Sequence, residues 1–109
     1  MKLKAYDSFT NVVSKIKTFN KGSDHIFSEE INDQTYLLVA EKFFFRNSSR
    51  ASLTVLVTEI DEFQTLIHVI GSGGGTGLFL KMDWGARHSY ENEIRTLLSN
   101  HQIKYEVIE

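Results

Sequence analysis

Four β-rich runs fill the middle of this chain, at residues 26–31, 35–46, 51–60 and 63–70, with only short breaks between them. Each run is dense in Val, Ile, Phe, Tyr, Leu and Thr, which suit a pleated, half-buried surface. The breaks, at Asn32-Asp33, Asn47 to Arg50 and Asp61-Glu62, carry turn residues. Parallel neighbours need a crossover of a dozen or more residues, so breaks this short predict an antiparallel meander. A short strand around Leu3 and Ala5, which alternate with Lys2 and Lys4, precedes it, and a last strand is expected over residues 103–108.

Two helices complete the expected order, β-α-β-β-β-β-α-β. Phe9, Val12, Val13, Ile16 and Phe19 recur at three- and four-residue spacing, which predicts a helix over about residues 8–20. Asp7 or Ser8 is placed to cap its start and Gly22 to end it. A second helix is expected over about residues 86–100, with Tyr90, Ile94, Leu97, Leu98 and His101 along one stripe. The predicted fold is α+β: a two-layer sandwich of a mainly antiparallel sheet with two helices on one face. At 109 residues it forms one domain, 1–109.

Charge and composition narrow the function classes. Twelve Lys and Arg stand against fourteen Asp and Glu, a net charge of -2, which removes the broad basic footprint of a nucleic-acid-binding protein. Residues 1–22 carry five lysines and one aspartate, whereas residues 23–41 carry five acids and no Lys or Arg. Such blocks predict neighbouring elements with complementary surfaces. The absence of cysteine excludes a disulfide framework, a thiol nucleophile and a thiolate metal site. No apolar run approaches the length of a membrane span, and no apolar stretch follows the charged opening residues, so a cytoplasmic protein is expected.

The β-rich runs are apolar at both parities. Odd positions give Leu37, Val39, Phe43, Phe45, Leu53, Val55, Val57, Ile67 and Val69, expected as the core face. Even positions still offer Tyr36, Leu38, Phe44, Leu56, Ile60, Leu66 and Ile70. A monomer seldom exposes an apolar patch of that extent, so a cover is expected. Three covers fit: another part of the chain, a second copy packed sheet to sheet, or an apolar ligand in a groove with Tyr36, Thr54 and His68 as its polar contacts. A homo-oligomer, most simply a dimer, is the expected partner state.

The compositional break at Gly71-Ser72-Gly73-Gly74-Gly75-Thr76-Gly77 matches no standard nucleotide or hydrolase motif. The P-loop, the dinucleotide fingerprint and the nucleophile elbow all fail by position, because Thr76, Leu78 and Ile70 stand where glycine is required and the nearest lysine afterwards is Lys81. Successive glycine amides can nevertheless converge on an anion. The meander brings the hairpin tip to the same end of the sheet. Arg46, Ser48, Ser49 and Arg50 are therefore expected to share a rim with Gly71, Ser72, Gly73, Gly74 and Gly75, as a site for a small phosphate- or carboxylate-bearing ligand. The competing reading is a tight strand connection beside two solvated arginines.

His25, His68, His88 and His101 have no metal-ligand spacing, so no metal and no cofactor are expected. An enzyme using His68 or His88 with a nearby acid, such as a set of His68, Ser72 and Asp83, is the alternative to a non-enzymatic binding domain. A third reading is a purely structural dimerisation module.

Gly73-Gly74-Gly75-Thr76-Gly77-Leu78-Phe79, followed by Trp84-Gly85-Ala86 and an amphipathic helix, looks like the C-terminal signature of a family of small uncharacterised bacterial proteins. The stretch from Glu41 through Phe43-Phe44-Phe45-Arg46-Asn47 to Ala51-Ser52-Leu53-Thr54-Val55 is similar to that family as well. The resemblance implies a bacterial cytosolic single domain and carries over no catalytic or binding residue.

Overall fold

The computed structural model describes residues 1–19, 23–44, 49–74 and 91–109. Strand β1 (Lys2–Ala5) leads into helix α1 (Phe9–Ile16), and the strands β2 (His25–Asn32), β3 (Thr35–Phe44), β4 (Ser49–Asp61) and β5 (Gln64–Gly74) follow. Residues 91–100 form helix α2, and β6 (Tyr105–Val107) closes the chain. The protein is α+β, with one antiparallel sheet of six strands in the order β2-β3-β4-β5-β1-β6.

Helix α1 starts where the chemistry of Ser8 allows it. The Ser8 hydroxyl accepts the Asn11 N–H at 3.2 Å, while Asp7 accepts both the Ser8 N–H and the Asn11 side-chain amide. Phe9, Val12, Val13 and Ile16 form its buried stripe. It ends earlier than the expected residue 20, because the chain tightens at Lys17 and Thr18. There the N–H groups of Thr18 and Phe19 reach back three residues, to the carbonyls of Lys15 and Ile16. Phe19 remains in the core beyond the helix. The expected terminator, Gly22, lies outside the described residues, as does Tyr90 of the second helix.

Helix α2 buries Ile94, Leu97 and Leu98. His101 leaves the expected stripe and is exposed, since the helix has already stopped. Ile103 N–H bonds Leu98 carbonyl at 2.9 Å, Gln102 N–H bonds Ser99 carbonyl at 3.0 Å, and Gln102 takes φ of 59°. That is a Schellman closure with glutamine in the left-handed position where glycine is the usual occupant. It turns Ile103 into the core, and strand β6 runs over three residues instead of the expected six.

The ladder corrects the parity expected for the core face. Strands β3 and β4 pair even against odd, with Tyr36 opposite Val57, Leu38 opposite Val55 and Ala40 opposite Leu53. Strands β4 and β5 pair odd against odd, with Leu53, Val55 and Val57 opposite Gly71, Val69 and Ile67. The core face therefore carries Leu3, Ala5, Tyr36, Leu38, Ala40, Ala51, Leu53, Val55, Val57, Ile67 and Val69, all buried. Leu37, Val39 and Phe43 point to the opposite face, where they are only half-buried. Phe45, also expected in the core, lies outside the described residues. The reason is geometric: the number of residues in the β3–β4 hairpin loop fixes the register, and one residue more or less exchanges faces.

The inward side chains of the strands join Phe9, Val12, Val13, Ile16 and Phe19 and the α2 residues in one continuous core. Each fully buried aliphatic side chain contributes about 1.5–3 kcal/mol. The buried hydroxyl of Thr65 donates to the Asp7 carbonyl at 2.9 Å, tying β5 to the entry of α1.

The glycine segment is also corrected in part. Gly71 to Gly74 are not a loop but the last four residues of β5, paired with Leu53, Ser52, Ala51 and Arg50. Strand β4 begins at Ser49, two residues earlier than expected, and offers the ladder that holds these glycines extended.

Candidate functional site: the second sheet face and its rim

The face turned away from the core is built in rows by the register. One row runs Glu29, Leu37, Leu56, His68, Lys2 across β2, β3, β4, β5 and β1. The next runs Phe27, Val39, Thr54, Ile70. On the other side lies Thr35, Thr58, Leu66, Lys4, Glu106. The centre of this face is thus Leu37, Val39, Leu56, Leu66 and Ile70, interleaved with threonines. Ile70 is 58% exposed and Phe27 50%, while Leu37, Val39, Leu56 and Leu66 are half-buried. The buried side chains of both helices belong to the core on the opposite side.

A groove using Tyr36, Thr54 and His68 together is ruled out by this register. Tyr36 is 1% exposed on the core face, whereas Thr54 and His68 lie on the other face. The Tyr36 hydroxyl has no hydrogen-bond partner among the described residues, and the Lys17 ammonium stands 5.8 Å from its ring centre.

The rim proposed from sequence is only partly described. Arg46, Ser48 and Gly75 lie outside the described residues. Ser49 opens β4 opposite Phe44, and Arg50 sits between Phe43 and Gly74. Arg50 is exposed, with its guanidinium 5.6 Å from the Phe43 ring centre, a cation–π contact that draws the charge over the second face. Ser72 pairs with Ser52, and Ser52 with Glu41, in the adjacent row of that same face. Gly71 and Gly73 fall in the core-face rows of Leu53 and Ala51. Sequence reasoning missed Phe43 and Glu41 as neighbours of Arg50. The even spacing of Arg50 and Ser52 was legible, but the partners on β3 needed the hairpin register. The Glu41 carboxylate, one row from Arg50, opposes an anion there by like charge.

His68 does not form the expected catalytic set. The residues opposite it are Lys2 and Leu56, neither an acid, and its Nδ1 has no hydrogen-bond partner among the described residues. Ser72 lies four residues along the same strand, about 13 Å away at the usual rise, beyond hydrogen-bond reach. Asp83 and His88 lie outside the described residues. Among the described residues no three His, Asp or Glu side chains converge as they would around a metal ion. Nor is any described helix long and apolar enough to cross a membrane.

An open cleft of about 410 Å³ separates α1 from the β2–β3 hairpin, with Phe9, Val13, Lys17, Glu30, Asn32 and Asp33 among its walls. Its charges close on each other: Lys17 Nζ donates to Glu30 Oε1 at 2.6 Å, which holds the Lys17 ammonium above its ordinary pKa. On the opposite edge the Tyr105 hydroxyl accepts from Arg95 Nε at 3.4 Å, and this lowers its pKa.

Comparison with known proteins adds one match. The model of a family of unknown function, DUF6054, matches residues 5–102, nearly the whole chain. No curated protein and no solved structure matches it.

Proposed function

The chain belongs to the DUF6054 family, and we propose that it is a small non-enzymatic interaction domain that self-associates through the second face of its sheet. The observation that carries this reading is the pair of rows Glu29-Leu37-Leu56-His68-Lys2 and Phe27-Val39-Thr54-Ile70, apolar at the centre and oppositely charged at the two ends of the first. A two-fold axis parallel to the strands lays such a row over its own reverse. Strand β4 then faces β4, Leu56 meets Leu56, Val39 meets Ile70, and Glu29 approaches Lys2, the amine 3.9 Å from Glu109 in the monomer. A two-fold axis across the strands would instead set Lys2 against Lys2. Charge thus selects one dimer, and isologous pairing is the commonest form of self-association.

In this reading both helices lie over the core face, so the protomer is a two-layer sandwich and the dimer stacks two sheets between two helical layers. The setting is the bacterial cytoplasm that the sequence resemblance implies. Sedimentation over a range of concentrations tests it. A reversible dimer is expected, and Ile70→Glu, at an exposed position outside the core, should leave a folded monomer. A wild-type chain that stays monomeric throughout contradicts the proposal.

A second reading rests on the register that brings Arg50 beside Gly74 and Ser72: a weak site for a small phosphate- or carboxylate-bearing ligand at the rim of the same face, completed by Arg46, Ser48, Ser49 and Gly75. A thermal-shift screen with inorganic phosphate and simple carboxylates, repeated on the Arg46→Ala/Arg50→Ala double variant, tests it. A shift that survives the double variant removes the site.

A further inference from the structure

The β2 edge of the described sheet makes a second surface. Strand β2 is terminal in the strand order, and all eight of its side chains are exposed, including Ile26 at 37%, Phe27 at 50% and Ile31 at 50%. The phase of its hydrogen bonds follows from the ladder. Glu59 N–H bonds the Gln34 carbonyl at 2.9 Å, in step with the β3–β4 register, so even positions of β3 bond β4 and odd positions bond β2. The odd residues Leu37, Val39 and Glu41 pair with Glu29, Phe27 and His25. Ile26, Ser28 and Glu30 therefore turn their N–H and C=O groups outward.

Natural edge strands are usually blunted by lysine, proline or a bulge in mid-strand. Strand β2 contains neither lysine nor proline, and its one register shift falls at its end, between Glu30 and Asn32. Its charge is one-sided. Residues 23–41 carry five acids and no Lys or Arg. Glu30 is bound by Lys17, and Asp24 accepts the Phe43 N–H, but Glu29 has no ion-pair partner among the described residues. A second copy of β2 would bring the same acids against this edge without a Lys or Arg to meet them.

We propose that β2 is a docking edge for an extended segment of another protein, in which apolar residues alternate with Lys or Arg. The incoming strand bonds the outward backbone groups of Ile26, Ser28 and Glu30. On the core-side face its apolar side chains lie beside Ile26, and on the opposite face its basic ones reach Glu29. This surface meets the proposed self-association face at Phe27 and Glu29, so the binding test is also run on the Ile70→Glu background, where that face is unpaired.

A short capped peptide of alternating valine and lysine is the probe, with alternating valine and glutamate as its counterpart. Binding is read by fluorescence anisotropy and by amide hydrogen exchange in the full chain. The lysine peptide should bind and protect the amides of Ile26, Ser28 and Glu30, and the glutamate peptide should not. Ser28→Pro removes an outward N–H without touching the β2–β3 ladder, and should weaken binding by at least about tenfold. Glu29→Lys, which alters no backbone group, should weaken it too. Equal binding of both peptides, full binding by Ser28→Pro, or protection of these amides that rises with protein concentration without peptide would each overturn the proposal. The last result would assign the edge to a second copy.

Discussion

Tyr36 and Val57 stand opposite each other across the β3–β4 ladder, an even residue against an odd one, and both are buried on the same side of the sheet. That pairing decides which half of every strand is core and which half is left for association. It also separates neighbours: Leu38 is 1% exposed on the core face, while Leu37 is half-buried on the other.

The register predicts unequal costs for the same truncation at adjacent positions. Leu38→Ala should destabilise the fold by about 2–5 kcal/mol, because it opens a cavity in a closed core. Leu37→Ala should cost less than half as much to a monomeric background such as Ile70→Glu. Urea unfolding of the two variants gives the comparison, and equal losses would place the core on the wrong face.

The hydroxyl of Tyr36, unpartnered among the described residues, gives a related expectation. A buried hydroxyl without a hydrogen bond costs desolvation and returns nothing. Tyr36→Phe should therefore be neutral or stabilising by up to about 1 kcal/mol. A clear loss of stability in urea would show that the hydroxyl has a partner.

The closure of α2 offers a stabilising substitution. Gln102 occupies the left-handed region at φ of 59°, where a side chain is crowded against the backbone. Gln102→Gly should raise the thermal midpoint, by about 1 kcal/mol in stability terms. The gain is small because glycine also widens the unfolded ensemble.

Lys17 supplies the pH dependence. Its hydrogen bond to Glu30 raises the ammonium pKa in the folded state, against a smaller opposing effect of desolvation. The folded form is the one that holds the proton more tightly. The contribution is thus complete below the unfolded lysine value and is lost as pH rises through the higher folded one. An NMR titration of the Lys17 side chain should find its pKa above the ordinary lysine value, and Glu30→Gln should return it towards that value. The Tyr6 phenol, which donates to Glu106 at 2.6 Å, should move in the same direction and for the same kind of reason.

Much of this fold was legible because its signals are local. The turn residues at Asn32-Asp33 and Asp61-Glu62 marked the hairpins, and the three- and four-residue spacing from Phe9 to Ile16 marked α1. Face assignment was not legible in the same way. Alternation identifies two faces within a strand, but only the pairing between strands says which faces coincide, and that depends on loop length at single-residue resolution. For the same reason Gly71 to Gly74 read as a connection in the sequence: glycine disfavours strands on its own, and the ladder from Arg50 to Leu53 overrides that preference. The rim was harder still. Spacing suggested Arg50 and Ser72, yet the neighbours that condition them, Phe43 and Glu41, belong to pairings no linear pattern displays.

The most direct measurement uses the absence of cysteine from the chain. Thr54 lies on β4 in the second face, close to the proposed two-fold axis, whereas Phe63 sits in the β4–β5 turn and is 74% exposed. A Thr54→Cys variant treated with a short bis-maleimide should be captured as a covalent dimer, since facing sheets pack about 10 Å apart. Phe63→Cys should be captured far less, and Ile70→Glu should abolish the capture of Thr54→Cys. Equal capture at both positions, or none at Thr54, would contradict the proposed dimer.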